Sequence, residues 1–192
     1  MPKNNKLGCS YATQQKLAVA LKELMEHESF EKLSVSDITA KCGLHRQTFY
    51  YHFNDKYELL DWVVYEELIN PFIADFRLDN AYEKIFDLFS TISSEKKFYQ
   101  NSLKINTEEL SRYITKIAYD YVKPLIKSIK LQGSIVGDDD SDETMAAEFL
   151  SYGISGVIIC WIQGGMKDSP EIMTKRTQKI INGTKALFGV MN

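Results

Sequence analysis

Apolar side chains recur at spacings of three and four residues along most of this chain, and no segment shows the strict apolar and polar alternation of a strand. In the first such segment, Leu17, Leu21, Leu24 and Met25 fall on one face of a helix. This periodicity predicts an all-α protein of about nine helices, in which a three-helix N-terminal module precedes a larger helical body.

Capping and breaking residues mark the limits of several helices. Ser34 and Asp37 have the pattern of a capping box, and Gly43 can adopt the left-handed conformation that ends a helix after Cys42. Asn54 is a candidate cap for a longer helix that Asn70-Pro71 would end. The predicted helices span about 13–28, 34–42, 45–52, 54–70, 79–94, 97–103, 108–130, 144–163 and 169–187, and the acidic segment 132–144 is predicted to be a surface loop.

Two short helices joined by a three-residue turn around Gly43 have the arrangement of a helix-turn-helix. The geometry alone would also fit an ordinary corner of a helical bundle. The composition of the second helix favours DNA binding. Phe49 and Phe53 share one face and can be buried, whereas Gln47, Thr48 and Tyr51 point away from that face. A purely structural helix would expose lysine and glutamate there, rather than uncharged hydrogen-bonding groups and an aromatic ring.

These exposed groups suit the edges of DNA bases. Gln47 can pair with adenine, Tyr51 can contact a thymine methyl group, and Arg46 in the first turn can bind guanine. Neighbouring side chains suit phosphate contacts, namely those of Tyr50, His52 and Lys56. We therefore predict a recognition helix at residues 45–52 and double-stranded DNA as a partner.

The segment from Leu33 to Leu60, LSVSDITAKCGLHRQTFYYHFNDKYELL, resembles the DNA-binding module of TetR-type regulators. The shared pattern is a short capped helix, a glycine turn, Thr-Phe-Tyr-Tyr-His-Phe, and then Asp-Lys and Glu-Leu-Leu. His45 departs from it, since the family more often has a serine cap there. The resemblance implies a backbone contact by Ser36, base contacts by Arg46, Gln47, Thr48 and Tyr51, and phosphate contacts by Tyr50, His52 and Lys56.

The same resemblance implies a helix-turn-helix DNA-binding domain at residues 1–56 and a helical effector-binding and dimerisation domain at residues 57–192. Within the family, the segments Arg46-Gln47-Thr48-Phe49-Tyr50, Leu59-Leu60-Asp61-Trp62 and Trp161-Ile162-Gln163-Gly164-Gly165 are most similar to the branch that includes activators of dihydroxyacetone-kinase operons.

In TetR-type proteins the body dimerises through its last two helices and encloses a ligand pocket. Here small and apolar residues form a stripe on the penultimate helix, which would let another helix approach closely. The candidate homodimer contacts are Phe149, Gly153, Gly156, Cys160, Ile180, Thr184 and Leu187. Packing within one monomer is the alternative. Aromatic residues could line a pocket, although such residues at helical spacing more often form core; the candidates are Phe86, Phe89, Tyr113, Tyr121 and Trp161.

The charge distribution agrees with a DNA contact near the N-terminus. The net charge is −3, but residues 1–56 carry eight Lys/Arg against six Asp/Glu, and the remaining residues are acidic. The longest apolar run, residues 153–162, is about half the length of a membrane-spanning helix. The first residues lack a secretory pattern, and the three distant cysteines fit reduced thiols. We predict a cytoplasmic protein without a transmembrane segment, metal site or cofactor.

The chain has no glycine-rich phosphate loop, nucleophile elbow or metal triad, so an enzyme is not predicted. A protein-interaction module without DNA binding is an alternative that the exposed groups of residues 46–51 oppose. Between Tyr82 and Tyr121 the charges cluster in stretches typical of helix ends and solvated faces. This pattern favours a repressor released by an uncharged, largely apolar small-molecule effector, because an unpaired ligand charge is costly in an apolar site. An activator controlled by a partner coregulator protein is the alternative.

Overall fold

A computed structural model describes residues 4–77, 79–105, 107–130 and 139–187. All regular elements in these ranges are helical, which confirms the all-α prediction. Three consecutive segments form one continuous helix, which is called α4. They are an α-helical segment, Lys56–Val64, a π-helical turn, Tyr65–Ile69, and a short α-helical segment, Asn70–Ile73. The nine helices of the described residues are α1 (Asn4–Met25), α2 (Val35–Lys41), α3 (Arg46–His52), α4, α5 (Ala81–Ser94), α6 (Lys96–Ile105), α7 (Thr107–Lys130), α8 (Asp140–Gln163) and α9 (Pro170–Leu187).

The chain forms two compact units. The first unit consists of α1 to α4 as far as Pro71, together with Lys97–Ile105 of α6. The second unit consists of Phe72–Lys96 together with α7, α8 and α9.

The core of the first unit is built from apolar helix faces. Leu17, Leu21 and Met25 of α1 are fully buried, as their spacing predicts, and each side chain of this size stabilises the fold by about 1.5–3 kcal/mol when buried. α1 begins at Asn4, well before the predicted start near residue 13. A tertiary contact supports the additional turns, because the ring of Tyr11 meets Trp62 edge-on at 5.9 Å.

The start and end of α2 agree with the sequence prediction. Ser34 Oγ accepts a hydrogen bond from the Asp37 amide at 3.2 Å, and Asp37 Oδ2 accepts one from the Ser34 amide at 2.8 Å. The helix ends at Lys41, and Gly43 then has a φ of +67°. Both the capping box and the left-handed glycine are therefore confirmed.

The two ends of α4 differ from the prediction. Asp55 is the cap, because its carboxylate accepts the amides of Tyr57 and Glu58 at 2.8 and 2.9 Å. Asn54 instead donates its backbone and side-chain N–H groups to Glu58 Oε2, so the prediction of Asn54 as cap was wrong. The predicted stop at Asn70-Pro71 was also wrong. Pro71 lies inside the last segment, Asn70–Ile73, just after the π-helical turn, and the helix ends two residues later at Ile73.

In the second unit, α7 packs along α8, and α5 packs against α9. Phe89 of α5 meets Trp161 edge-on at 5.1 Å, and Trp161 Nε1 donates to the Asp168 carbonyl at 3.0 Å. α9 begins at Pro170, with Ser169 Oγ 3.4 Å from the Ile172 amide, as predicted.

α8 begins earlier than predicted. Its cap is Asp139, whose carboxylate accepts the Ser141 amide at 3.3 Å, and the helix starts at Asp140. Asp140, Asp142 and Glu143 occupy the first turn, where the helix dipole favours negative charge. The prediction of a surface loop was therefore wrong from residue 140 onward. Residues 132–138 of that segment lie outside the described residues.

Among the described residues, α8 is long and apolar enough to cross a bilayer by length and composition, with a mean hydropathy of 1.6. The core helix of a soluble protein passes the same test. Ser151, Ser155 and Ile158 on one side of α8 are buried, and Thr115 Oγ1 of α7 donates to Ser155 Oγ at 2.8 Å. One side of α8 is thus core of the second unit.

Candidate nucleic-acid interface

The predicted recognition helix, α3, starts shortly after the turn at Gly43. The Leu44 amide bonds back to the Thr39 carbonyl at 2.9 Å, which closes the turn between α2 and α3. His45 is the N-cap residue in extended conformation and makes no side-chain cap bond. The helix therefore begins with Arg46, and its start lacks the capping hydroxyl of a serine.

One face of α3 is anchored in the core of the first unit. Phe49 is fully buried, Phe53 is nearly so, and their ring centroids lie 5.8 Å apart. The ring of Phe53 also packs edge-on against that of Trp62 of α4, with the ring centroids 5.9 Å apart. The predicted burial of these two phenylalanines is confirmed, and it determines which face of the helix points outward.

The opposite face of α3 is open to solvent. The exposed fraction of Tyr51 is 82%, and Arg46, Gln47 and Tyr50 are also exposed, whereas Thr48 is partly buried. The structure thus brings these five predicted DNA contacts together on one short helix.

Arg46 is held along the surface of the same helix. Its Nη2 donates to the Tyr50 hydroxyl at 3.2 Å, and its guanidinium carbon lies 5.8 Å from the centre of the Tyr50 ring. The spacing of four residues places the two side chains side by side. Tyr50 therefore orients a cation that could otherwise adopt many rotamers.

The remaining predicted contacts lie around α3. Ser36 is exposed in α2, and His52 is partly buried at the end of α3 with Nδ1 3.5 Å from Ser10 Oγ. Ser10 could not be identified from the sequence, because His52 lies 42 positions away from it in the chain. Hydrogen bonds from the side chain and the backbone of Ser34 hold the pKa of the Asp37 carboxyl below its usual value. The neighbour of Ser36 in the chain is therefore a carboxylate that stays negatively charged.

Lys56 has a different environment from the one expected for a phosphate contact. Its Nζ donates to the carbonyl oxygens of Phe30, Glu31 and Leu33 at 2.9, 3.1 and 2.8 Å. A lysine ammonium group has three N–H donors, so all of them are in use. A phosphate would have to displace a carbonyl to reach them.

The predicted dimer contacts of α8 lie on its outer side. The exposed fraction of Phe149 is 77%, and Gly153 and Cys160 are exposed, while Gly156 is partly buried. Ile180 of α9 is also exposed. The side chains of two further candidates, Thr184 and Leu187, lie outside the described residues.

The predicted pocket residues do not form one lining in the described part of the second unit. Phe89 and Trp161 are buried against each other, Phe86 is partly buried, and Tyr121 is exposed. The side chain of Tyr113 lies outside the described residues. A contact between two buried aromatic rings fits core packing.

The helix-turn-helix and the all-helical body together define the class of a DNA-binding regulator, and two family models agree. One, described as bacterial regulatory proteins of the tetR family, matches residues 17–63. The other, described as a transcriptional regulator C-terminal region, matches residues 79–183, more than half of the chain. The chain belongs to the TetR family of DNA-binding transcriptional regulators, which are not enzymes.

One curated relative is the HTH-type dhaKLM operon transcriptional activator DhaS of Lactococcus lactis subsp. lactis (strain IL1403). It is 42% identical over 64 residues, which are 32% of this chain and 34% of that protein. The chain thus spans about a third of the length of the curated relative that it matches.

Solved structures of similar fold cover most of the chain. The dihydroxyacetone kinase operon activator DhaS has a TM-score of 0.74 at 20% identity, covering 92% of this chain and 97% of that one. NalD of Pseudomonas aeruginosa, the secondary repressor of the MexAB-OprM multidrug efflux pump, has a TM-score of 0.60 at 14% identity, covering 87% and 93%. These likenesses show the shared fold.

Proposed function

We propose that this regulator binds a pseudo-palindromic operator as a homodimer and recognises its sequence through α3. The observation that carries the proposal is the outer face of α3, where Arg46, Gln47 and Tyr51 are exposed while Phe49 fixes the helix from below. Such a helix fits the major groove, whose base edges present distinct donor and acceptor patterns.

The contacts divide into two groups. Gln47, Thr48 and Tyr51 contact base edges, because their side chains lead away from the buried face, and Arg46 contacts a base from the exposed first turn of the helix. Tyr50, His52 and Ser36 contact the DNA backbone, since they flank this set. Lys56 was predicted to join the second group, but its ammonium group already donates to three backbone carbonyls.

The homodimer forms through the exposed stripe of α8, together with α9. Two large apolar side chains on this stripe, Met145 and Phe149, have exposed fractions of 72% and 77%. Small residues further along the same stripe, Gly153 and Gly156, allow a second helix to approach closely. A second copy would cover this surface and place two recognition helices on successive turns of DNA. The protein would act in the cytoplasm, where its DNA is accessible.

A selection from a random DNA library tests the proposal. We expect the purified protein to enrich a pseudo-palindrome whose half-site centres lie about 34–36 Å apart, one helical turn. Sequencing of the bound fraction gives the half-site and its spacing. The variant Tyr82→Ala serves as control, because Tyr82 lies on α5 of the second unit and is not part of the helix-turn-helix. If the wild-type protein enriches no sequence, the proposed recognition is wrong.

A separate proposal concerns whether the protein represses or activates transcription, and whether a small molecule or a partner protein controls it. Repression relieved by an uncharged, largely apolar effector is the first candidate, because the charged side chains of α6 include Lys96 and Lys97, both exposed rather than directed into an apolar site. Activation under control of a partner protein is the second. It is favoured by the 42% identity over 64 residues with a transcriptional activator.

Operator affinity with and without a metabolite extract distinguishes the two candidates. With the purified regulator alone, we expect an apolar fraction of the extract to weaken operator binding if the regulator senses its effector directly. No response until cell protein is added would favour the partner-controlled activator. A small anion that changes the affinity directly would contradict both candidates. Fluorescence anisotropy with labelled operator measures all three outcomes, and a boiled protein fraction provides the control.

A further inference from the structure

The ammonium group of Lys56 lies in a cage of three backbone carbonyls. The acceptors belong to Phe30, Glu31 and Leu33, at 2.9, 3.1 and 2.8 Å from Nζ. The same ammonium lies 4.6 Å from the ring centre of Phe30 and 5.6 Å from that of Tyr57. The positive charge is therefore satisfied by the protein itself on several sides.

The cage is located where the chain enters α2. Phe30 begins the short 3-10 turn Phe30–Lys32, and Leu33 directly precedes Ser34, the cap of α2. Phe30 and Leu33 have exposed fractions of 1% and 2%. Lys56, the first residue of α4, thus ties the entry of α2 to the start of α4.

We propose that Lys56 is a positioning residue, which holds α2 and through it α3 in the orientation that recognises DNA, rather than a phosphate ligand. The inference rests on the proposed function, since it assigns a role in operator binding. α2 has only seven residues, and a helix this short is not stable alone. Its direction therefore depends on how its ends are held.

A phosphate contact by Lys56 would be costly. Turning the ammonium group toward DNA would break its bonds to the carbonyls of Phe30, Glu31 and Leu33 at the entry of α2. Lysine suits the cage, because one tetrahedral nitrogen can donate to three converging oxygens. An arginine guanidinium is planar and spreads its donors over three nitrogens, so it suits phosphate better than this cage.

This difference makes Lys56→Arg the informative variant. If Lys56 positions α2, the arginine variant should bind operator at least about tenfold more weakly, as should Lys56→Met, because neither restores the three bonds. The slope of log affinity against log salt should stay unchanged in both. If Lys56 is a phosphate ligand, Lys56→Arg should bind like the wild type, and Lys56→Met should lower the slope by about one per half-site. Either result would overturn the proposal.

A matched control separates positioning from a general loss of stability. Lys22 is also partly buried and forms an ion pair with Glu67 at 2.6 Å in the same unit. Lys22→Met should lower thermal stability without disturbing the carbonyl cage. Affinities are compared at a temperature where circular dichroism shows each variant to be folded. Equal losses of affinity in folded Lys22→Met and Lys56→Arg would mean that Lys56 has no specific positioning role.

Amide hydrogen exchange on the full chain provides a test that does not need DNA. Lys56→Arg should speed exchange in α2 and α3, while exchange in the second unit stays as in the wild type. Unchanged exchange in α2 would overturn the proposal. If the wild-type protein selects no DNA sequence, the proposed function fails, whereas the exchange data still decide whether Lys56 holds α2.

Discussion

Replacing Arg46 or Tyr51 with alanine should weaken operator binding by about 1–3 kcal/mol per half-site, the usual value of a good base contact. A homodimer carries each substitution twice, so the operator affinity should fall by about 2–6 kcal/mol, thirtyfold or more. The fold should be unaffected, because the exposed fraction of Tyr51 is 82% and Arg46 is also exposed. Fluorescence anisotropy with operator and with scrambled DNA measures the loss.

The scrambled DNA distinguishes base contacts from phosphate contacts. Loss of a base contact should weaken binding to operator more than binding to scrambled DNA, since backbone contacts carry no sequence information directly. Tyr82→Ala removes a tyrosine that is also exposed, but on α5, and should bind operator like the wild type. If Tyr51→Ala retains wild-type affinity and preference for operator, the recognition surface lies elsewhere on the protein.

Tyr50→Phe and Arg46→Ala, made singly and together, would measure how far the contributions of these two side chains to operator affinity depend on each other. The Tyr50 hydroxyl accepts from Arg46 Nη2 at 3.2 Å. Interaction between neighbouring side chains makes the effects of single substitutions non-additive. The measured loss for Arg46 therefore includes the loss of its contact with Tyr50.

The local features of the DNA-binding module could be predicted because their causes lie within a few residues. The capping box joins Ser34 to Asp37, and the end of α2 depends on the single glycine at position 43. The outward face of α3 follows from two phenylalanines four residues apart. In each case the residues that determine the feature lie within one or two turns of helix.

The partners of Lys56 could not be predicted in the same way. Its carbonyl acceptors lie 23 to 26 positions earlier in the chain. A lysine beside a recognition helix has the same sequence pattern whether it faces phosphate or a backbone turn. The difference arises only when α4 packs beside the turn that precedes α2.

Helix ends were mispredicted where two candidate caps adjoin or where acidic residues cluster. Asn54 and Asp55 are both good caps, and the choice of Asp55 depends on Glu58 reaching back to Asn54. The acidic run before α8 resembles a solvated loop in composition. Its carboxylates from Asp140 onward instead stabilise the positive end of a long helix.

The sequence predicts that small and apolar residues form a stripe along α8, the proposed dimer surface. It does not predict whether that stripe is buried within one chain or exposed. A pattern of small and apolar residues on α8 fits both internal packing and assembly. Phe149 is exposed, and a Cβ atom added at Gly153 or Gly156 would meet no atom of the described residues within 4 Å. Because a Cβ atom fits at these glycines among the described residues, we expect the monomer to tolerate a side chain there and a second copy to oppose it.

Gly156→Leu should therefore dissociate the homodimer while each chain stays folded. Overpacking a close helix contact typically costs about 1–3 kcal/mol, and a two-fold interface contains the substitution twice, so the dimer dissociation constant should rise thirtyfold or more. Sedimentation velocity over a range of concentrations measures this change, and circular dichroism checks the fold. Ile154→Phe is the matched control, because Ile154 is 41% exposed on the same helix but points roughly 160° away from Gly156. A Gly156→Leu protein that remains fully dimeric at low concentration would place the interface on another surface.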